Sequence, residues 1–217
     1  MSFFLKVTRF RIKADTNCNV VTIHMMNNSA THYGYVARAL HWSTALFFLL
    51  AYAAVYYRQW FTEEKTDLNW TALQLHLSFG VTIGVLVLLR VYWRLTTTQP
   101  APEPASALMH KAAHYGHLAL YAVLIIMPLT GYLGTGVATE FFFWFDIPKF
   151  ADTWLFQSVI QYGLGLSFEQ FEAPIDFIHK QGGAYLVWLL ILGHAAAALY
   201  HHIHLKDRTL LKMLPPG

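Results

Sequence analysis

The stretch HAAAALYHHIHLKD, His194 to Asp207, places four histidines in fourteen positions next to a run of small apolar residues. Imidazole can ligate a metal, move a proton near neutral pH or satisfy a polar pocket. Twelve histidines in the chain equal its twelve Asp and Glu and approach its fifteen Lys and Arg. So large a share of imidazole in an apolar sequence points to use as ligand or proton carrier. The single Cys18 excludes an intramolecular disulfide framework, a thiolate zinc cluster and the Cys-x-x-Cys-His attachment of c-type haem. Any haem would therefore be held non-covalently.

The elements that must position these histidines are apolar. The composition is 56% hydrophobic and 12% charged, and the mean hydropathy is +0.37, which indicates a membrane protein. Four segments near 39–57, 71–95, 114–137 and 177–204 each approach the ~20 residues that cross a bilayer as a helix. The expected fold is an all-α, four-helix transmembrane bundle. Between the spans lie RQWFTEEKTDLNW, the Pro-rich TTTQPAPEPASAL and a long loop from Ala138 to Asp176, broken by Pro148, Gly163, Gly165 and Pro174. The long loop has room for a short interfacial helix such as ADTWLFQSVIQYGL.

Charge assigns the sides. Eleven Lys and Arg fall with the two termini and the second connection, whereas only Arg58, Lys65, Lys149 and Lys180 fall on the opposite side with nine of the twelve acidic residues. Both termini are expected to be cytoplasmic. No long basic run points to nucleic acid as a partner. Residues 1–32 read as an N-terminal appendage ahead of a 33–217 domain: FRIKADTNCNVVTIHMMNN is neither a span nor a signal peptide with an apolar core.

A metal centre between helices needs imidazoles at matched depth. At the outer level only His76 and His179 are available, so they pair. The inner level offers His41, His114, His117 and His194, with His201 and His202 deeper toward the cytoplasm. His194 lies about 22 Å along the axis from His179 and about 60° around it, whereas His201 lies roughly 33 Å away, at or beyond the edge of the hydrocarbon. His194 fits an inner site, with His41 its first candidate partner and His117 its second. Gly80 and Gly84 after His76, Ala45 after His41 and Ala198 after His194 leave strips where a flat macrocycle can lie. The same glycines also suit an ordinary small-xxx-small helix contact. A lone intramembrane His is commonly a hydrogen-bonded helix contact, but four at two matched depths are harder to explain that way. His114, His201, His202 and His204 also suit an interfacial rim. A haem-free His-rich membrane transport or binding protein is the competing class. Zinc and manganese sites usually recruit carboxylates, however, and none lies well inside the four segments.

These residues resemble the bacterial cytochrome b561 family of four-helix dihaem membrane cytochromes, from about Tyr33 to Pro215. The resemblance is carried by ALHW at Ala39, LHLSFG at Leu75, RVYWRL at Arg90, AHYGHLALY at Ala113, HAAAALYHH at His194 and KDRTLLKMLP at Lys206. FFWFDIP at Phe142 to Pro148 looks like an element of a longer-looped subgroup. The resemblance implies two non-covalent haem b groups, one on His41 and His194 and the other on His76 and His179. It also implies a bacterial inner-membrane location and electron transfer between a periplasmic donor and the ubiquinone pool. Some resembling members are superoxide oxidases, which makes superoxide:ubiquinone oxidoreductase the alternative activity. Arg38 and Arg90 are candidates for haem propionates or a quinone oxygen, and His117, His201 and His202 for the quinone headgroup. In the family the two fourth-helix ligands are usually one residue closer than the fifteen separating His179 from His194; Gly182 and Gly183 can absorb the extra residue as a π-bulge.

One explanation of the appendage is that translation starts at Met25 or Met26. Mass spectrometry of the native protein should then find no peptide spanning Lys13 to Met25, and finding one refutes the expectation.

Overall fold

The computed structural model describes residues 27–214. Most of the expected appendage and both candidate start methionines lie outside the described residues. Four long helices are present: α1 (Tyr35–Phe61), α2 (Asp67–Thr96), α3 (Ala107–Gly134) and α4 (Phe168–Leu205), of 27, 30, 28 and 38 residues, all long and apolar enough to cross a membrane.

Three of these helices begin at capped polar residues, which is why they start earlier than the apolar windows. Thr66 accepts from the Asn69 amide ahead of α2 and Ser106 from that of Met109 ahead of α3. At α4, Ser167 and Gln170 form a reciprocal capping box. The α4 start at Phe168 therefore lies nine residues ahead of the expected 177, and part of the expected loop is helix. Pro174 is accommodated inside it. Likewise α3 begins seven residues before the expected 114 and ends at Gly134, short of 137.

The remaining connection is also structured. Strands β1 (Thr139–Phe141) and β2 (Phe145–Ile147) pair antiparallel. A 3-10 turn at Phe150–Asp152 and a π-helix at Phe156–Gly163 follow, the latter within the segment expected to form a short helix. The hairpin turn puts Phe142 and Phe143 at φ 45° and 62°, a region disfavoured for bulky residues. Its anchors are buried on α2: Gln74 Nε2 donates to Ala138 O at 3.1 Å, the Glu140 amide donates to Gln74 Oε1 at 2.8 Å, and the Phe142 amide donates to Ser78 Oγ at 3.0 Å.

The two ends of the bundle differ. One carries the hairpin; at the other, the first and last described segments meet. Arg208 donates to His32 Nε2 at 2.8 Å, Arg38 to the Leu214 carbonyl at 2.8 Å and Trp42 Nε1 to the Met213 carbonyl at 2.8 Å. Asn28 and Ala30 also bond to the α2–α3 connection, at Thr97 and Ala101. At mid-depth a core of Phe48, Ala51, Ile83, Val87, Val123, Met127 and Val187 joins the four helices.

Gln74→Leu leaves the Ala138 carbonyl and the Glu140 amide without their buried partner. A loss of roughly 2–4 kcal/mol is expected, measured as a lower Tm in detergent and faster proteolysis of the hairpin.

Candidate functional site

Two cavities flank the mid-depth core, and the expected histidines line them at two levels. Toward the hairpin lies a cavity of about 610 Å³, lined by His76, His179, Gly80, Gly131, Arg58 and Lys180 among others. Toward the termini lies one of about 760 Å³, lined by His41, His117, His194, Arg90, Ala45 and Ala198 among others. Both fall within the size range of cofactor pockets.

The imidazoles face one another across these spaces. The ring centres of His76 and His179 are 6.1 Å apart, and those of His41 and His194 are 6.2 Å apart. A ring nitrogen binds a transition metal at ~2 Å and the ring centre lies about 1 Å further back, so two rings trans on one ion have centres roughly 6 Å apart. Both pairs have ring separations of that size. His117 is also close, with its ring centre 5.6 Å from that of His194.

The hairpin-end pair has the support typical of ligating histidines, whose second nitrogen is tied to an acceptor. His76 Nδ1 lies 2.9 Å from the Ala51 carbonyl, and His179 Nδ1 lies 3.0 Å from that of Met127. As Nδ1–H donors, both rings leave Nε2 free to coordinate. Gly131 makes room for this arrangement, since a Cβ there would meet His179 Cε1 at 2.9 Å. Gly80 has nothing within 4 Å of its Cβ position, which matches the expected open strip. Gly84 differs: its Cβ position is 3.5 Å from Pro128 Cβ, so it serves the contact between α2 and α3.

The termini-end site is supported differently. His117 Nδ1 bonds to the Ala113 carbonyl of its own helix at 2.8 Å, and the Arg90 guanidinium donates to His41 Nδ1 at 2.9 Å. Arg90 also lies over the Tyr121 ring at 5.4 Å, and it has no carboxylate partner among the described ion pairs. Trp93 Nε1, buried at the same cavity, has no acceptor among the described residues. A cation and a donor that both lack an acidic partner suit an anionic or carbonyl group such as a propionate.

The other expected residues divide. His201 lines the termini-end cavity, whereas His202 is exposed and does not. Arg38 is turned to the C-terminal tail and also stays off the cavity wall. Sequence reading missed Tyr52, which lines both cavities, together with Glu103, His110, Thr209 and Lys212 at the termini-end cavity. Glu103 was hidden in a Pro-rich connection, and its 2.6 Å ion pair with Lys212 spans more than a hundred residues. Local pattern carries no such pairing.

The family model for prokaryotic cytochrome b561 matches residues 32–216. The chain belongs to the prokaryotic cytochrome b561 family. Two relatives from Escherichia coli (strain K12) agree with this. Cytochrome b561 homolog 2 is 31% identical over 200 residues, covering 86% of this chain and 93% of the relative. Cytochrome b561 homolog 1 is 30% identical over 184 residues, covering 81% and 93%. A protein of Yersinia pestis named probable superoxide oxidase CybB is 27% identical over 190 residues, covering 84% and 96%. Family membership and four apolar helices make this a multi-pass electron-transport protein of the bacterial inner membrane, with haem b as cofactor.

In this cytochrome, Gly131→Val should push the His179 ring out of place. Less haem per chain, measured by pyridine haemochrome against protein mass, is expected with little change in helical circular dichroism.

Proposed function

We propose that this cytochrome b561 holds two haem b groups and carries electrons between a periplasmic donor and the ubiquinone pool, with both termini in the cytoplasm. The observation that carries this reading is the pair of near-equal imidazole separations at two depths, 6.1 and 6.2 Å. The excess of Lys and Arg at the termini end supports the orientation.

In this reading His76 and His179 hold the outer haem, and His41 and His194 hold the inner one. His117 is the second candidate partner for His194. Haem would supply a one-electron iron couple, and ligation by both histidines of a pair would favour electron transfer over oxygen chemistry. Arg90 binds a propionate or quinone oxygen once its hydrogen bond to His41 is released, and Trp93 Nε1 donates to the same class of acceptor. Phe48 and Tyr52 line both cavities and so provide the packed medium between the two sites. His201 meets the quinone headgroup at the mouth of the inner cavity. Arg38, bonded to Leu214, acts indirectly by holding the tail over that mouth.

Arg58 and Lys180 on the outer cavity favour a second reading, superoxide:ubiquinone oxidoreductase, because they offer positive charge to a small anion. The relative named as a probable superoxide oxidase agrees with it. Asp176, 2.8 Å from Lys180, weakens that field, so a protein or quinol donor is the first reading.

A reduced-minus-oxidised spectrum of the purified protein should show a b-type α-band with two haems per chain. His41→Leu should retain one haem and His117→Leu both; the opposite result makes His117 the ligand. Absence of the band overturns the dihaem reading.

A further inference from the structure

The end of α4 is shaped to return a carboxylate to one histidine. The helix widens into a π-turn at His201–Leu205 and reverses at Lys206, whose φ of 53° and ψ of 32° are left-handed. The Asp207 amide then donates to the His201 carbonyl at 3.2 Å. The Asp207 carboxylate is gripped at both oxygens: Oδ2 accepts from His201 Nδ1, and Oδ1 accepts from the Thr209 amide at 2.9 Å. Little of either side chain is exposed, 20% for His201 and 15% for Asp207. His201 and Thr209 line the termini-end cavity, and Asp207 stands outside its lining.

Burial works against ionisation of Asp207, but the bonds from His201 and Thr209 outweigh it and hold the carboxyl below the usual carboxylate range. An ionised carboxylate can only accept, so neutral His201 must carry its proton on Nδ1. Nε2 is then the ring nitrogen left for whatever occupies the cavity. Besides the inner-level histidines His41, His117 and His194, the titratable groups lining that cavity include Arg90, Arg94, His110, Tyr33 and Tyr121 and the Lys212–Glu103 pair.

We propose that Asp207 is a positioning residue that sets His201 to exchange protons with a quinone headgroup through Nε2. This rests on the reading of the inner cavity as a quinone site. On oxidation of a hydroquinone its O–H bond would break and an Nε2–H bond form, with the electron passing to the haem that His194 would hold. His201 returns the proton to water at the cavity mouth before taking the second, so two electrons and two protons leave the headgroup. In the reverse direction, the imidazolium protonates the quinone oxygen as each electron arrives. Carboxylate, imidazole and ligand act in line, with the carboxylate fixing the tautomer and never itself taking the proton.

Asp207→Asn tests this, because the amide oxygen can still accept from Thr209 while its NH2 donates to His201 Nδ1 and forces the proton onto Nε2. The haem-loaded full-length protein, with 15N-labelled histidine and in lipid nanodiscs, should show the His201 resonances change from the Nδ1–H to the Nε2–H form. With short-chain ubiquinol, kcat for haem reduction should fall by at least about tenfold with KM little changed, and Asp207→Glu should recover most of the rate. A wild-type His201 in the Nε2–H form overturns the proposal, whatever the stability of the variant. A changed tautomer with unchanged kcat overturns it as well, while loss of quinol-dependent reduction in His201→Gln would leave the quinone site standing. If His201→Gln reduces haem as fast as wild type, the quinone reading at His201 itself fails.

Discussion

The hydroxyl of Tyr52 on α1 donates to the Gly183 carbonyl on α4 at 2.7 Å, and Trp188 Nε1 on α4 donates to the Tyr56 hydroxyl at 2.8 Å. These two bonds at mid-depth hold α1 and α4 in register, with the cavities above and below them. Between membrane helices such bonds contribute only about 0.6 kcal/mol each on average. The aromatic packing around them adds to this, since the Tyr52 and Trp188 ring centres are 4.8 Å apart. Their importance is geometric: α4 carries one histidine of each pair, so its register against α1 and α2 decides whether both levels face their partners.

That register depends on the π-turn at Gly182–Leu186. An unbroken α-helix would leave His194 about 60° around the axis from His179; absorbing one residue makes fifteen residues count as fourteen and brings the offset to about −40°. The two glycines are needed for close approach as well. A Cβ on Gly182 would meet Met127 Sδ at 3.2 Å, and one on Gly183 would meet Met127 Cε at 3.4 Å. The carbonyl of the same Met127 receives the His179 ring. One short segment therefore joins helix register, helix approach and the orientation of a ligand.

The two ends of the bundle solve different problems. The hairpin end holds its imidazoles with backbone carbonyls and closes with a hairpin pinned to Gln74 and Ser78. The termini end is polar and assembled from distant pieces: the Lys212–Glu103 ion pair, with side chains 12% and 19% exposed, and the bonds from Arg38 and Trp42 to the tail. Truncating one partner of so covered an ion pair leaves the other poorly paired, which costs more than the pair itself contributes. This end combines protonatable groups with a large apolar cavity, the combination a headgroup that gains and loses protons requires.

By itself the sequence determined the four spans, the two histidine levels and the family, because hydropathy, charge asymmetry and imidazole spacing are one-dimensional signals that a bilayer converts directly into depth. It also pointed to a π-bulge after His179, since an odd spacing beside two glycines has few other remedies. Only the tertiary structure decided that Gly80 borders open space while Gly84 packs on Pro128, that Arg38 and His202 stay off the cavity wall, and that Asp207 folds back onto His201. Depth follows from position along a helix, whereas azimuth and partner choice depend on how four helices and their tails are packed together. Contacts such as Tyr52 with Gly183, or Lys212 with Glu103, join residues more than a hundred positions apart, and no local pattern encodes them.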